Sequence, residues 1–285
     1  MTQEPFIELH RPVLYKQQLA IELLAHYTEL SQTELELCFD NGAVWLQAAG
    51  KPHRIYDPAT LLKKGQQIHL YCNQSTLSSC PFVATLIADF DSFSVWNKPS
   101  GMLSQGSKWG DHWALYRWIR QHQWRDRESY ITHRLDRYTQ GLMIVAHDED
   151  TNKKLHRMFE ARQIQKTYRA IVQGLLAVGE QRTLSTPIER KSAETQFKVI
   201  DQLAPANQSL LEIHPHTGRK HQIRIHLAEV AHPVVNDRNY GQPPFDGDLM
   251  LQACALEFPH PLDGTALKLE LDRIDLLNFT KPLLK

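Results

Sequence analysis

The residues best placed for chemistry surround one aspartate. Asp136 lies in His133-Arg134-Leu135-Asp136-Arg137-Tyr138-Thr139-Gln140-Gly141, between two arginines and just ahead of the apolar run Leu142-Met143-Ile144-Val145-Ala146. Thr139, Gln140 and Gly141 are turn formers, and the apolar run is too short and too β-branched for a helix, so Asp136 is expected on a loop entering a core strand. Function concentrates on loops carried by rigid scaffolds. Arginines within a few ångströms, here Arg134 and Arg137, would keep such a carboxylate ionised even when partly desolvated. An ionised, oriented carboxylate can be a nucleophile or a base. A plain loop ion pair has the same composition, so the motif alone leaves both readings open.

Two further stretches could supply partners. From His216 to Ala228 the chain reads His-Thr-Gly-Arg-Lys-His-Gln-Ile-Arg-Ile-His-Leu-Ala. Thr217-Gly218 makes a turn, and from His221 the apolar residues Ile223, Leu227 and Val230 take helical spacing. His221, Arg224 and Ala228 then share one stripe. A mid-helix arginine on a half-buried stripe needs a carboxylate, and Asp136 is the expected partner. The other stretch, Lys166 to Gly174, reads as a strand in which Lys166, Tyr168, Ala170 and Val172 face one way. That face is rim packing or an active-site wall. His214, His216, His221 and His226 invite a metal reading, but there is no His-Glu-x-x-His or cysteine pairing and 221 to 226 is not an i, i+4 pair, so no metal is expected. The chain also lacks a glycine-rich phosphate loop and a Gly-x-Ser-x-Gly elbow.

The elements that must hold these residues belong to an ordinary globular chain. Its 285 residues, 42% hydrophobic and 22% charged, suit one large or two unequal domains. No apolar run approaches the roughly 18 residues of a membrane span, and no signal-peptide pattern opens the chain. The scattered Cys38, Cys72, Cys80 and Cys254 offer no C-x-x-C pair, and a reduced, cytoplasmic setting is expected. Net charge is zero, yet fifteen Lys and Arg stand against ten Asp and Glu between His133 and His226. A basic face of that kind is compatible with a polyanion and equally with an uneven solvated surface.

Taken in order, residues 16–30 have helical spacing, and Ser31 with Glu34 forms a capping box for a second helix to Phe39. Asn41-Gly42 breaks it, and short strands follow at 44–46 and 68–72. This small unit, residues 1–75, resembles the RNA-binding module shared by a ribosomal small-subunit protein and many RNA-modifying enzymes, on Ser31, Gly42, Val44 and Lys64-Gly65-Gln66-Gln67-Ile68. It departs where Glu34 and Glu36 replace the cations that touch phosphate, since acidic groups repel an RNA backbone. Residues 73–80 read as a linker or a surface loop. Beyond them a strand at 90–96 ends at Asn97-Lys98-Pro99-Ser100-Gly101, Leu115, Trp118 and Ile119 share a helical face, and 148–162 is helical with Leu155, Met158, Phe159 and Arg162 on one stripe.

Over residues 82–285 the chain resembles the RluA-type RNA pseudouridine synthases. The resemblance rests on Asn97-Lys98-Pro99-Ser100-Gly101, His133-Arg134-Leu135-Asp136, Lys166-Thr167-Tyr168-Arg169-Ala170 and Thr217-Gly218-Arg219-Lys220-His221-Gln222-Ile223-Arg224, in family order. Glu194-Thr195-Gln196-Phe197, Asn236-Asp237-Arg238-Asn239-Tyr240-Gly241 and Phe258-Pro259-His260-Pro261 add support. Gln140 and Gln252 depart from the family pattern. The resemblance implies isomerisation of uridine to pseudouridine in ribosomal or transfer RNA, with no cofactor and no metal. It makes Asp136 the nucleophile, Arg224 its partner and Tyr168 the residue that stacks on the uracil and serves the late proton removal. Arg134 would fill the space left by a flipped-out base, and Lys98, Lys166, Arg219 and His221 would bind RNA or support the pocket. The implied fold is α+β: a mixed, mainly antiparallel sheet flanked by helices, preceded by the small module. Competing readings are an RNA-binding protein with an inactive synthase fold and a hydrolase using the histidines as metal ligands.

Overall fold

The computed structural model describes residues 6–271, which fall into two compact units. One comprises the chain up to Phe82 together with Gln105–Gln123, and the other Val83–Ser104 together with the chain from Trp124 on. The segment 105–123, which sequence reading placed in the larger domain, thus clusters with the smaller unit. Hydrogen bonds explain why: Asp111 N–H donates to Asn41 O (3.0 Å), Trp45 Nε1 to Lys108 O (3.0 Å) and Arg117 Nη2 to Asp40 O (2.8 Å).

The smaller unit is a four-stranded antiparallel sheet in the order Ile7–Pro12, Gln67–Cys72, Val44–Gln47, His53–Arg54, with helices Ala20–Tyr27 and Gln32–Asp40. Leu23, Leu24, Leu35, Phe39, Val44, Ile68 and Leu70 make its core. The first helix is shorter than its periodicity suggests. The second starts on the expected capping box, with Glu34 Oε2 accepting from Ser31 N–H at 2.8 Å. Those hydrogen bonds from Ser31 hold the Glu34 carboxyl below its usual range, so this acid serves the helix end. Residues 73–80 are a surface loop of this unit, with buried Thr76 Oγ1 donating to Trp109 O at 2.9 Å and Asn41 Nδ2 to Thr76 O at 2.8 Å.

The larger unit is α+β, built on a ten-stranded sheet. Its main path runs Gln181–Leu184, Thr195–Leu203, Gln208–Pro215, Gln165–Gln173, Leu251–Pro259, Gln140–Ala146, Phe93–Lys98, Thr85–Asp89. Neighbouring strands on this path are antiparallel except Leu251–Pro259 with Gln140–Ala146, which pair in parallel over Gln140↔Gln252 and Gly141↔Ala253. At this seam Gly141 adopts φ +118°, and a Cβ there would strike the Ala253 backbone, so no other residue fits. The two departures from the family pattern, Gln140 and Gln252, are partners across the same seam. Helix Glu149–Glu160, capped by Asp148, buries Leu155 and Met158; it ends before Arg162, which takes φ +56° and leaves the expected stripe. The core beneath it joins Phe93, Val95, Leu142, Ile144, Leu256 and Phe258.

Candidate active site

Asp136 sits on the loop leading into strand Gln140–Ala146, as the turn residues require. Both its neighbours are fastened. Ser104 Oγ donates to Leu135 O (2.7 Å) and accepts from Leu135 N–H (3.0 Å). Arg137 O accepts from Gly101 N–H (2.9 Å) and from Lys98 Nζ (3.2 Å). Lys98 is fully buried and also donates to Pro99 O (3.0 Å) and Met102 O (2.9 Å). Burial pushes its amine down to about 7, with Asp136 pulling the other way. Three carbonyl acceptors match the three donors of an ammonium, so we assign the charged form. A side chain so enclosed supports the Asp136 loop and does not reach RNA.

In register, Lys98, Gly141, Ala253 and Tyr168 form one row across the seam, with a bulge beside Tyr168. Two small residues thus separate the lysine from a buried tyrosine. Burial, reinforced by the charge of Asp136, drives the Tyr168 phenol well above its usual range, so the ring is neutral at physiological pH.

Helix Gln222–Glu229 brings the remaining groups. Arg224 Nη1 lies 3.6 Å from Asp136 Oδ2, and His221 Nε2 lies 3.9 Å from Asp136 Oδ1. The expected meeting of Arg224 with Asp136 is therefore present, but its tighter partner is another carboxylate. Arg224 Nε and Nη2 donate to Asp237 Oδ2 (2.7 Å) and Oδ1 (2.6 Å), a bidentate fork. Asp237 is fully buried and also accepts from the N–H groups of Asn239 (3.0 Å) and Tyr240 (3.2 Å). Burial works to raise its carboxyl, and Arg224 with those amides outweighs it, holding the group below its ordinary range. His221 caps the helix at φ +55°, a left-handed conformation that histidine tolerates better than bulky residues, and its Nδ1 meets Tyr240 Oη at 2.9 Å. Burial lowers its imidazole against the pull of Asp136. Asp237 and Tyr240 were missed by residue-level reasoning. Their signal was Asn236-Asp237-Arg238-Asn239-Tyr240-Gly241, a run of polar turn formers singled out only through the family resemblance.

The other expected residues divide. Arg134 is exposed and has no ion-pair partner among the described residues, so it does not flank Asp136 as the sequence suggested. Arg137 Nε donates to Gly101 O (3.2 Å). Lys166 is half-buried beside Gly218, without a hydrogen-bonded or ionic partner among the described residues, and burial lowers its ammonium. Arg219 is exposed and donates through Nε to Ser192 O (2.9 Å). The four histidines do not converge: His226 is held by Thr195 and Thr186, His214 lies by Glu212, and His216 by Glu194.

The site is thus a partly exposed carboxylate, aimed by a buried arginine and facing an enclosed tyrosine, at the seam of a mixed sheet. Residues 92–229 match the family described as RNA pseudouridylate synthase. It is 32% identical over 211 residues to ribosomal large subunit pseudouridine synthase C of Escherichia coli K12, covering 65% of each chain. It is 31% identical over 209 residues to the Yersinia pestis protein of the same name, covering 65% of this chain and 64% of that one. The chain therefore spans somewhat less than two thirds of the length of these relatives. Human RNA pseudouridylate synthase domain containing 4 shares the fold, with a TM-score of 0.56 at 21% identity, over 70% of this chain and 92% of that one.

Proposed function

We propose that this protein isomerises specific uridines in structured ribosomal or transfer RNA to pseudouridine. The observation that carries the reading is the state of Asp136: held by its neighbours' backbone and by Arg224, yet only in loose contact at 3.6 and 3.9 Å, with a quarter of its side chain exposed. A group oriented but not consumed by hydrogen bonds is available to a substrate. Asp136 is the nucleophile. The bond from uracil N1 to the ribose breaks, the base turns, C5 joins C1′, and the proton leaves C5 for N1 or solvent, so atoms balance without a cofactor.

Arg224 pairs with Asp136 and aims it. Tyr168, a neutral phenol, packs on the uracil and assists the C5 proton only by passing on its own. A stacked uridine must leave the helix, and exposed Arg134 is free to fill the gap. Lys166, a cation without a partner among the described residues, and Arg219 suit flanking phosphates. RNA is the partner, and the cytoplasm is the setting that substrate implies; among the described residues no helix is long and apolar enough to cross a membrane.

The test is carbodiimide mapping of pseudouridine in ribosomal and transfer RNA from cells with and without the gene. A site lost on deletion, restored by the wild-type chain and not by Asp136→Asn, is expected, with turnover indifferent to chelators. Restoration by Asp136→Asn would remove that residue from the mechanism. Inhibition by chelators would return the histidine-metal reading.

A further inference from the structure

A cavity of about 150 Å³ lies on the same face as Arg224, lined by that arginine, Tyr138, Asn236, Arg238, Asn239 and Asp248 among others. Cavities of about this size accept one six-membered ring, here the ring of a purine that carries its hydrogen-bonding edge. We infer that this cavity is a second nucleotide subsite that reads an unpaired guanine next to the uridine held at Asp136. The inference rests on the synthase reading and adds to it a determinant of which uridine is chosen.

Position comes first. Tyr138 is two residues from Asp136 on the same loop, and Arg224 lines the cavity while touching Asp136, so whatever occupies the cavity is a neighbour of the reacting base. Rigidity comes second. Asn236 spends its amide on the loop that closes the cavity, donating to Asp248 O (3.0 Å) and accepting from Asp246 N–H (3.1 Å). Asp248 Oδ1 accepts from Ser100 Oγ (3.1 Å). The wall is preformed.

The chemistry of the remaining groups selects the ligand. Tyr138 is 46% exposed; Arg137 lies over its ring at 5.5 Å from the centroid, and the remaining ring surface, beside a polar cleft, suits stacking on a base. Arg238 is exposed with no ion pair among the described residues, a cation for a phosphate. Asp248 is an exposed carboxylate with acceptor capacity to spare, and it decides the base. A carboxylate accepts hydrogen bonds and offers none. The edge of guanine presents two adjacent donors, N1–H and the N2 amine, which match both carboxylate oxygens. Cytosine presents one donor group, while the uracil and adenine edges place a carbonyl or ring-nitrogen acceptor against the carboxylate. The Asn239 side-chain amide, exposed and without a hydrogen-bond partner among the described residues, can donate to guanine O6.

The full-length protein is first given ribosomal and transfer RNA from cells lacking the gene, and its target uridine is located by carbodiimide mapping. Transcripts of that local structure are then made with each nucleotide at each unpaired position beside the target. At one position guanosine is expected to exceed adenosine in kcat/KM by about tenfold to a hundredfold. Asp248→Asn is expected to bring that ratio close to one, with circular dichroism and melting as for wild type. Indifference to every neighbouring nucleotide, a preference for another base, or an undiminished ratio in Asp248→Asn would overturn the subsite while leaving the synthase reading intact. No turnover by wild type on any uridine would remove both.

Discussion

Each unit holds an aspartate among tyrosines and arginines, and the two are built to opposite ends. In the smaller unit Asp111 is fully buried and accepts from Tyr56 Oη (2.8 Å) and Tyr116 Oη (2.5 Å). A Cβ on Gly42 or Gly106 would collide with the Asp111 side chain, so two glycines wrap it. Burial, and then the charge of Asp111, pushes the Tyr56 phenol up to about 12 and the Tyr116 phenol further. In the larger unit Asp136 has no bond shorter than 3.6 Å to its cationic partners and keeps a quarter of its side chain in solvent. The lesson is that residue types do not distinguish a fastener from a reagent. What distinguishes them is access: both tyrosines meet Asp111 Oδ2 while its Oδ1 is enclosed without a hydrogen bond among the described residues, whereas Asp136 stays open to solvent. Asp237 lies between the two: it shares Arg224 with Asp136, yet it is spent on the fork and two amides.

The largest effect should fall on activity and spare stability. Asp136→Asn keeps shape and removes the proposed nucleophile, and turnover should drop by on the order of 10⁴-fold or more. Its melting temperature should stay near wild type, because no short hydrogen bond is lost. Single-turnover assays beside thermal melts measure both. A melting loss as large as that of a buried pair would erase the contrast with Asp111. Next comes Asp237→Ala, which strands the Arg224 guanidinium in a buried position. Breaking a buried pair from one side costs about 3–5 kcal/mol, or about 10 °C for a unit of this size. Activity falls with it, since Arg224 loses the fork that orients it. If Asp237→Ala melts like wild type, the fork is not what fixes Arg224. Asp111→Asn should be milder, about 1–3 kcal/mol, because the amide oxygen can take the place of Oδ2, which accepts from both tyrosines, while the charge is lost. Urea melts followed by the fluorescence of the smaller unit's tryptophans would read it, and an unchanged midpoint would show that the tyrosines hold that loop without the carboxylate.

The motifs made much of this legible. Turn residues before an apolar run placed Asp136 on a loop into a strand, helical spacing put His221 and Arg224 on one stripe, and the Ser31–Glu34 box marked a helix start. The rest was hidden because it depends on contacts far apart in sequence. Periodicity cannot show that Arg224 has a nearer carboxylate thirteen residues on, because the fork forms across a loop with no regular period. Arg134 misled for a related reason. Nearness in sequence does not fix where a loop side chain points, so Arg134 is exposed while the partner of Asp136 arrives from a helix. Segment 105–123 was equally unreadable, since it is hydrogen bonds to residues far off in sequence, among them Asp40, Asn41 and Trp45, that tie it to the smaller unit.

A histidine near each aspartate extends the comparison to pH. His112 follows Asp111, and His133 precedes Asp136 by three residues; burial lowers both imidazoles, His133 to about 3, with the charges of Lys166 and His156 adding to the effect. His133 Nε2 accepts from Ile144 N–H at 3.0 Å, so the folded state requires that nitrogen unprotonated. In the unfolded chain histidine titrates near 6.5. Between about 6.5 and 3 the unfolded state therefore holds one proton more at this position than the native state does. Stability is complete above the unfolded value and is lost as pH falls, by at most about 1.4 kcal/mol per unit for one proton. His133→Asn can still offer an oxygen to Ile144 N–H and has nothing to titrate. Urea melts at pH 7, 6, 5 and 4 should show its stability declining less steeply than wild type by up to that one-proton slope, while His112→Asn changes the slope less. Equal slopes for wild type and His133→Asn would mean that the Ile144 bond yields to protonation, and that the strand beside the active site is softer than its hydrogen bonding implies.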